Sequence, residues 1–405
     1  MWEQIRANKR NSIILLGTMA GCLGVLGFVV GIAFAGPDGG FFGIIIATVI
    51  WLVLLMISFS GGDQILLAAS KAKVVTPEVH QQLFNVVEEM TIAANLPKMP
   101  KVYIINDPAP NAFATGRSPE TASVAVTAGL LAKLNRDELQ GVIAHEMSHI
   151  IHRDILFVTL AGVMLGSIVL ISQVFLRGMF YRSMGSRRRY SSGSSGGGQA
   201  QIIFIVIAIL AAILAPIFAQ ILYFALSRKR EYLADADAVR LTRYPEGLAG
   251  ALDKISRSDK PVASANKVTA PMYIANPFTG KKGVNLYSTH PPIKDRIKIL
   301  RNMSRGASFR DYSDSYSQTV GGAEVMPAAA LKESQAVEIR EGDKRTKKQS
   351  RKKELRDIGD IMRTVNGFAF LGCACGLKMK IPPNFKADTV KCPRCGKQSS
   401  VHSTA

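Results

Sequence analysis

The sequence predicts a mainly α-helical membrane protein that joins four apolar helices to a soluble α+β part and a cysteine-rich C-terminal end. Apolar residues make up 48% of the 405 residues. Four long apolar segments lie at residues 12–35, 41–59, 155–176 and 202–226. A formal net charge of +20 indicates basic soluble parts, and together these observations argue against a single soluble core.

The first two apolar segments are separated only by the turn GPDGG, so they predict a helical hairpin. At about 1.5 Å per residue, each segment can cross a hydrocarbon core of about 30 Å. A secretory signal is the alternative for the first segment, but its apolar run exceeds the usual length of about 7 to 15 residues. Glycine pairs four residues apart favour close helix packing in this hairpin: Gly17 with Gly21, and Gly27 with Gly31.

The soluble part begins with a predicted amphipathic helix over residues 76–96, capped by Thr76 and with His80 in solvent. Two β-branched runs, 102–105 and 123–127, predict short strands of a small sheet. An exposed edge of that sheet could pair with an extended peptide.

The stretch NRDELQGVIAHEMSHIIHRD, residues 135–154, predicts a capped helix with His145, Glu146 and His149 at i, i+1 and i+4. The two imidazoles then lie about 40° apart and about 6 Å along the axis, so both can bind one zinc ion. Glu146 lies beside them, where it can take a proton from a water molecule at the metal. The alternative is a chance pair of surface histidines, and a third ligand decides between the two interpretations.

That ligand is expected in REYLADADA, where Glu231 and Asp235 are four residues apart and share a helix face. Glu231 is the predicted third ligand, and Asp235 is expected to accept the free N–H of a ligating histidine. The alternative is a solvated charged helix face. His152, one turn after His149, is a minor candidate for the third ligand.

Four motifs in this order resemble the HtpX-like membrane zinc metallopeptidases, and more distantly the CAAX prenyl proteases. They are NAFATG at residues 111–116, HEMSH at 145–149, SRKREYLADADA at 227–238 and STHPPIKDRI at 288–297. The resemblance covers about residues 1–301 and implies a zincin-like α+β metallopeptidase domain.

The resemblance also implies a role for each matching residue. Zinc would be bound by His145, His149 and Glu231, with Glu146 as general base and acid. His290 and Arg296 would lie near the reacting carbonyl and stabilise the oxyanion. Substrate would lie against a strand edge formed by Asn111, Ala112, Phe113 and Ala114.

The third and fourth apolar segments adjoin the two ligand helices, so zinc is expected within about 10 Å of the membrane boundary. Basic residues before the first segment and after the second and fourth place the N-terminus and the catalytic part in the cytoplasm. Residues 177–200, with five arginines, oppose this orientation. Either the earlier charges dominate, or the last two segments form a hairpin that does not fully cross.

Residues 305–364 are polar and basic and predict a solvated linker, with attraction to anionic lipid headgroups as a weaker alternative. The C-terminal end predicts a zinc ribbon, because two close pairs of cysteines supply four soft ligands. They are Cys373, Cys375, Cys392 and Cys395. Two disulfides are the alternative, and a cytoplasmic location argues against them.

We therefore predict a hairpin at 1–60, a metallopeptidase domain at 61–304 interrupted by 155–176 and 202–226, a linker at 305–364 and a ribbon at 365–405. The expected function is zinc-dependent cleavage of damaged or misfolded membrane proteins at the cytoplasmic face of a bacterial inner membrane. One catalytic and one structural zinc ion are expected, with membrane proteins and the bilayer as partners and no nucleic acid. The alternatives are a CAAX-type prenyl-protein endopeptidase and a non-catalytic membrane scaffold that displays the ribbon.

Overall fold

The computed structural model describes residues 2–36, 38–185, 205–215, 217, 228–265, 269–278, 290–303, 306–321, 326, 328–332, 335, 337–342 and 351–401. Most of the predicted segment 202–226, residues 186–200 of the arginine-rich loop, and residues 288–289 of the fourth motif lie outside this set.

The described elements are mainly helices. The helices are α1 (Trp2–Ala35), α2 (Gly39–Ala69), α3 (Gln81–Ala93), α4 (Ala128–Lys133), α5 (Arg136–Ile151), α6 (Asp154–Gly185), α7 (Ile205–Ala215), α8 (Arg228–Thr242), α9 (Pro245–Ser256), α10 (Ile293–Asn302), α11 (Phe309–Thr319), α12 (Ala328–Lys332) and α13 (Arg351–Val365). The strands are β1 (Ala72–Val74), β2 (Lys101–Ile105), β3 (Ala112–Thr115), β4 (Ser123–Thr127), β5 (Ala369–Gly372), β6 (Lys378–Ile381), β7 (Thr389–Lys391) and β8 (Gln398–Ser400).

Among the described residues, two helical spans are long and apolar enough to cross a membrane: Ser12–Ala35 in α1 and Gly39–Ala69, which is α2. The two helices pack as a hairpin, with Gly27 and Gly31 against Gly39 and Gly43. A Cβ placed on Gly43 would lie 2.0 Å from the Gly27 carbonyl oxygen, so the contact requires glycine. Gly17 and Gly21 make no such approach. The prediction of four hydrophobic helices is thus shown only for the first two.

A four-stranded sheet with the order β1-β2-β4-β3 lies beside this hairpin. β2 and β4 run parallel, while β1 and β3 are antiparallel to their neighbours, which leaves β3 at one edge. One face packs against α3 and α5 in the main core. The other face packs against the end of α2 through Leu66 and Leu67. The sheet therefore connects the candidate span to the helix that carries HEMSH.

α5 begins at the predicted cap. The Asn135 side chain accepts from the Glu138 backbone N–H, and the Glu138 carboxylate accepts from the Asn135 backbone N–H. The helix predicted over residues 76–96 is shorter in the structure. α3 starts only at Gln81, and His80 caps it by accepting from the Leu83 backbone N–H, so this imidazole is not simply solvated. Residues 77–79 form a separate turn before this cap, closed by the Val79 N–H and the Thr76 carbonyl oxygen at 3.1 Å.

The region after residue 304 differs from a solvated linker. α11 begins at a capping box of Ser308 and Asp311 and buries Tyr312 completely. Arg340 donates to the carbonyl oxygens at the end of α8, through its backbone to Arg243 and through Nε to Thr242, both at 2.9 Å. Its Nη2 also bonds Asp137 in the first turn of α5 at 2.8 Å. The guanidinium thus joins the negative end of α8 to the first turn of α5.

α13 lies against the main core through Ile361, Met362 and Val365. Its Asp360 carboxylate binds Lys380 of β6 at 2.9 Å. The two hairpins β5–β6 and β7–β8 follow, around a small core that contains Cys373 and Cys392. The C-terminal hairpins are thereby held to the core by a helix.

Candidate metal centre

Two helices bring the predicted ligand atoms together. Nε2 of His145 and Nε2 of His149, both from α5, are 3.3 Å apart. The Glu231 carboxylate at the start of α8 lies 3.7 Å from the first nitrogen and 3.6 Å from the second. A tetrahedral zinc ion with bonds of about 2.0 to 2.1 Å requires its ligand atoms to be about 3.3 Å apart. The donor set of two imidazoles and a carboxylate therefore fits a zinc ion in chemistry and in spacing.

His145 is oriented by a buried carboxylate of α8. Its Nδ1 lies 3.0 Å from Oδ1 of Asp235, as the sequence predicted for a residue one turn after the third ligand. Arg296 of α10 donates two hydrogen bonds to the same carboxylate, from Nε to Oδ2 at 2.8 Å and from Nη2 to Oδ1 at 2.7 Å. Burial raises the pKa of Asp235, but the Arg296 charge outweighs it and lowers that pKa to about 2. The carboxylate is thus held ionised beside the imidazole.

His149 has its own carboxylate, which the sequence analysis missed. Its Nδ1 lies 3.1 Å from Oδ2 of Asp154, the first residue of α6. Arg153 adopts a left-handed conformation with φ 58°, which ends α5 and lets the chain turn so that α6 starts beside the histidine. In the sequence, the acidic residue Asp154 directly after the end of the HEMSH helix is the feature that could have indicated this partner of His149. Each imidazole thus lies next to a carboxylate through its Nδ1, while its Nε2 faces the other predicted ligand atoms.

Burial has the largest effect on the pKa values of His145 and Glu146, whereas for His149 the effect of burial is outweighed by Asp154 and Glu231, which raise its pKa to about 9. Burial lowers the pKa of His145 to about 3, so this imidazole is neutral and ready to bind a metal. Burial and the nearby Glu231 charge raise the pKa of Glu146 to about 8, although His149 opposes the shift. A carboxyl group with a pKa near neutrality can both accept and return a proton, which is what general acid–base catalysis requires.

A cleft opens at these residues, and its remaining walls are largely apolar. The described residues that line it are Ala114, Glu146, His149, Asp154, Ile155, Phe157, Val158, Arg230, Glu231, Pro271 and Met272. Three of the apolar residues belong to the start of α6, within the predicted third apolar segment. Arg230 forms a wall by placing its guanidinium 3.8 Å above the Phe157 ring.

The edge of β3 is only partly available to a substrate. The Ile274 backbone N–H donates to the Ala112 carbonyl oxygen at 2.9 Å, and the Asn111 side chain donates to the Ala275 carbonyl. Phe113 is fully buried against Tyr273. Because backbone direction alternates along a strand, the N–H and C=O of Ala114 point away from β4, towards the cleft.

His290 and Arg296 do not line the cleft. Arg296 is 1% exposed and is bound to Asp235 and to the Ile274 carbonyl oxygen. His290 is also buried, and burial together with the Arg296 charge lowers its pKa to about 3.

His152 lies away from the ligand cluster. Its Nε2 meets Asp237 of α8, which also accepts from Ser148 Oγ at 3.1 Å and binds Arg240. This second polar cluster joins α5 to α8 on another face, so the minor candidate for the third ligand takes a structural position.

The C-terminal cysteines form a second group that can hold a metal. The sulfur of Cys373 lies 3.4 Å from that of Cys395, and the sulfur of Cys375 lies 3.6 Å from that of Cys392. All four are free thiols. Sulfur ligands at about 2.3 Å from a tetrahedral zinc ion are about 3.8 Å apart, so the cluster fits a structural zinc site.

Comparison with known proteins agrees with this geometry. The family model described as "Peptidase family M48" matches residues 77–304. A protein named "Protease HtpX homolog" from Dictyoglomus thermophilum is 45% identical over 302 residues, which is 75% of this chain and 94% of that protein. Proteins of the same name from Ligilactobacillus salivarius and Listeria monocytogenes are 41% and 42% identical over 75% of this chain and all of theirs. No solved structure matches.

We expect Glu231→Ala to lower the metal content by about one zinc ion per chain, because two imidazoles alone leave the tetrahedral site incomplete. Elemental analysis of the purified full-length variant measures the loss. Asp237→Asn is the control, since it changes a buried carboxylate of the same helix that binds His152 instead. Full metal content in the Glu231 variant would place the third ligand elsewhere.

Proposed function

The chain belongs to peptidase family M48 and is a membrane-bound zinc metalloprotease, and from this premise we propose that it cleaves damaged or misfolded membrane proteins at the cytoplasmic membrane surface in protein quality control. The position of the cleft supports this proposal most directly. Ile155, Phe157 and Val158 at the start of α6 form its apolar wall, and Arg117, just after β3, donates to the carbonyl of Phe59 in α2. The strand that contributes Ala114 to the cleft is thus joined at its end to the apolar part of the candidate span.

We propose that His145, His149 and Glu231 hold the zinc ion. When bound, zinc supplies a Lewis acid that polarises the peptide carbonyl and acidifies water. Glu146 is 1% exposed and faces the same cleft, so it takes the proton from water and returns it to the leaving amine.

The backbone groups of Ala114 that point away from β4 are placed to pair with the main chain of an extended substrate. Asn111, Ala112 and Phe113 support this edge indirectly, because they hold residues 273–275 against β3. His290 is the better candidate to stabilise the oxyanion, since the nitrogens of Arg296 are engaged with Asp235, Glu231 and Ile274. Arg296 instead positions Asp235, and Asp235 positions His145.

For location, we propose a bacterial inner membrane with the catalytic part in the cytoplasm. Basic residues after α2 and at the start of α8 support this orientation, including Lys71, Lys73 and Arg228. The bilayer and membrane-protein substrates are the proposed partners.

We expect Glu146→Gln to retain zinc and to lower the rate of cleavage by about 10²- to 10⁴-fold, because the amide cannot accept a proton. Cleavage of an unfolded test protein and the zinc content are measured together. Membranes that contain this variant should accumulate uncleaved membrane proteins, which comparative proteomics would identify. Glu88→Gln, an exposed carboxylate of α3, is the control. Near wild-type cleavage by the Glu146 variant would refute its role.

We expect about two zinc ions in the full-length chain and about one after truncation behind Gly367, because the cut removes the four cysteines and keeps α13 on the core. Elemental analysis and thiol titration of both proteins test this count. Cys22→Ser is the control, since that cysteine lies in α1, outside the cluster. One zinc ion in the full chain, with unreactive C-terminal cysteines, would indicate disulfides.

We expect a tag at the C-terminus to resist a protease added to intact spheroplasts and to be digested in inverted membrane vesicles, because the positive-inside rule places the ribbon in the cytoplasm. Immunoblotting of both preparations measures this. Digestion in spheroplasts that remain sealed would reverse the proposed orientation.

A further inference from the structure

α11 lies beyond residue 304, where the family match ends, yet it packs directly on the helices of the metal centre. Ser315 Oγ donates to the Ile299 carbonyl oxygen of α10 at 2.5 Å. The Tyr316 ring meets the Tyr232 ring of α8 edge-on, with centroids 4.9 Å apart. α8 carries Asp235, and α10 carries Arg296. α11 therefore covers the side of the metal centre on which the Asp235–Arg296 ion pair lies.

Tyr312 is the residue at the centre of this contact. It is 0% exposed and belongs to the same buried cluster as Ile299. Burial raises the pKa of its hydroxyl, and the nearby charges of Asp235 and Arg296 respectively add to and oppose that shift. The hydroxyl is buried and has no hydrogen-bond partner among the described residues. The ring, and not a hydrogen bond, is therefore what this side chain contributes beside the ion pair.

The Asp235–Arg296 pair depends on the exclusion of water from its surroundings. Oδ1 of Asp235 lies 3.0 Å from His145 Nδ1 and accepts from Arg296 Nη2 at 2.7 Å. In a dry environment these contacts are strong, whereas water beside the pair would weaken them and compete for the carboxylate oxygens. A less firmly held Asp235 would let the His145 ring turn away from the metal. Partners of this kind typically contribute about 10- to 100-fold to metal affinity.

We propose that Tyr312 is a positioning residue of the metal centre: its ring keeps water from the Asp235–Arg296 pair, and thereby fixes the His145 imidazole for zinc. α11 then completes the catalytic unit of this chain and is not part of a linker. This inference rests on the proposed zinc site of His145, His149 and Glu231.

The test is a titration of the metal-stripped full-length protein in detergent with Co²⁺. Cobalt at the cysteine cluster shows thiolate charge-transfer absorption, which a site of imidazole and carboxylate lacks, so the two sites are read separately. Tyr312→Ala is expected to raise the Kd for Co²⁺ at the His–Glu site by about 10- to 100-fold and to leave the cysteine site unchanged. Tyr312→Phe is expected to bind Co²⁺ within about twofold of wild type and to be at least as stable, because it removes a buried hydroxyl that has no partner.

Tyr316→Ala is the matched control, since it removes an aromatic ring of the same helix that contacts Tyr232. Both alanine variants should lower the Tm, but only the Tyr312 variant should weaken binding at the His–Glu site. Equal weakening by the two, or unchanged affinity in Tyr312→Ala, would overturn the proposal and leave α11 a purely structural role.

If Tyr312→Ala does not fold, Tyr312→Leu keeps apolar contacts but leaves room for water beside the pair. Wild-type cobalt affinity in that folded variant would also overturn the proposal. Failure of the zinc site itself has a different result, because the wild-type chain would then show only the thiolate-bound cobalt.

Discussion

The contact between Asp235 and Arg296 is the constraint on which the metal centre depends. It joins α8 to α10, and the same arginine reaches the Ile274 carbonyl oxygen beside the sheet edge. Both side chains are almost fully buried, and removing two charges from water is costly. Replacement by apolar residues would often give equal stability, so the pair is better explained by what it orients. It presents one carboxylate oxygen to His145 and holds that oxygen in place.

The second imidazole, that of His149, is oriented by a carboxylate close to it in sequence, and not by one from a distant helix. His149 meets Asp154 immediately after α5 ends, and Asp154 begins the helix whose next residues line the cleft. A single turn of backbone therefore couples a proposed zinc ligand to an apolar wall of the substrate cleft. A displacement of α6 would act on the histidine through this carboxylate, without any change in α5 itself.

The sequence predicts local parts of this centre better than its long-range contacts. His145, Glu146 and His149 follow from helical periodicity, and the cap of α5 follows from Asn135 and Glu138, because each pattern lies within a few turns. The spacing of Glu231 and Asp235 indicates a shared helix face but does not identify its partner, Arg296, which lies 61 residues further along the chain. The coverage of β3 by residues 273–275 and the packing of Tyr312 have no local signature, because side chains from separate elements create them only after folding. His80 shows the opposite case, in which a local cap was present and was taken for a solvated residue.

The partly covered strand edge limits how a substrate can be held. Ile274 occupies the outer carbonyl of Ala112, and Thr159 donates to the carbonyl of Gly116. Between them only the backbone of Ala114, which lies beside the Glu146 carboxyl group, is left to face a substrate among these three described residues. A short stretch of backbone pairing gives little affinity by itself, because extended binding along an edge gains one bond or two per exposed residue. Most of the binding energy must then come from elsewhere, and the cleft offers an apolar wall supplied by Ile155, Phe157 and Val158 of α6. Under the proposed function, a flexible segment tethered to the bilayer would gain a high local concentration at this cleft, which would compensate for the short edge and favour membrane-anchored chains over soluble ones.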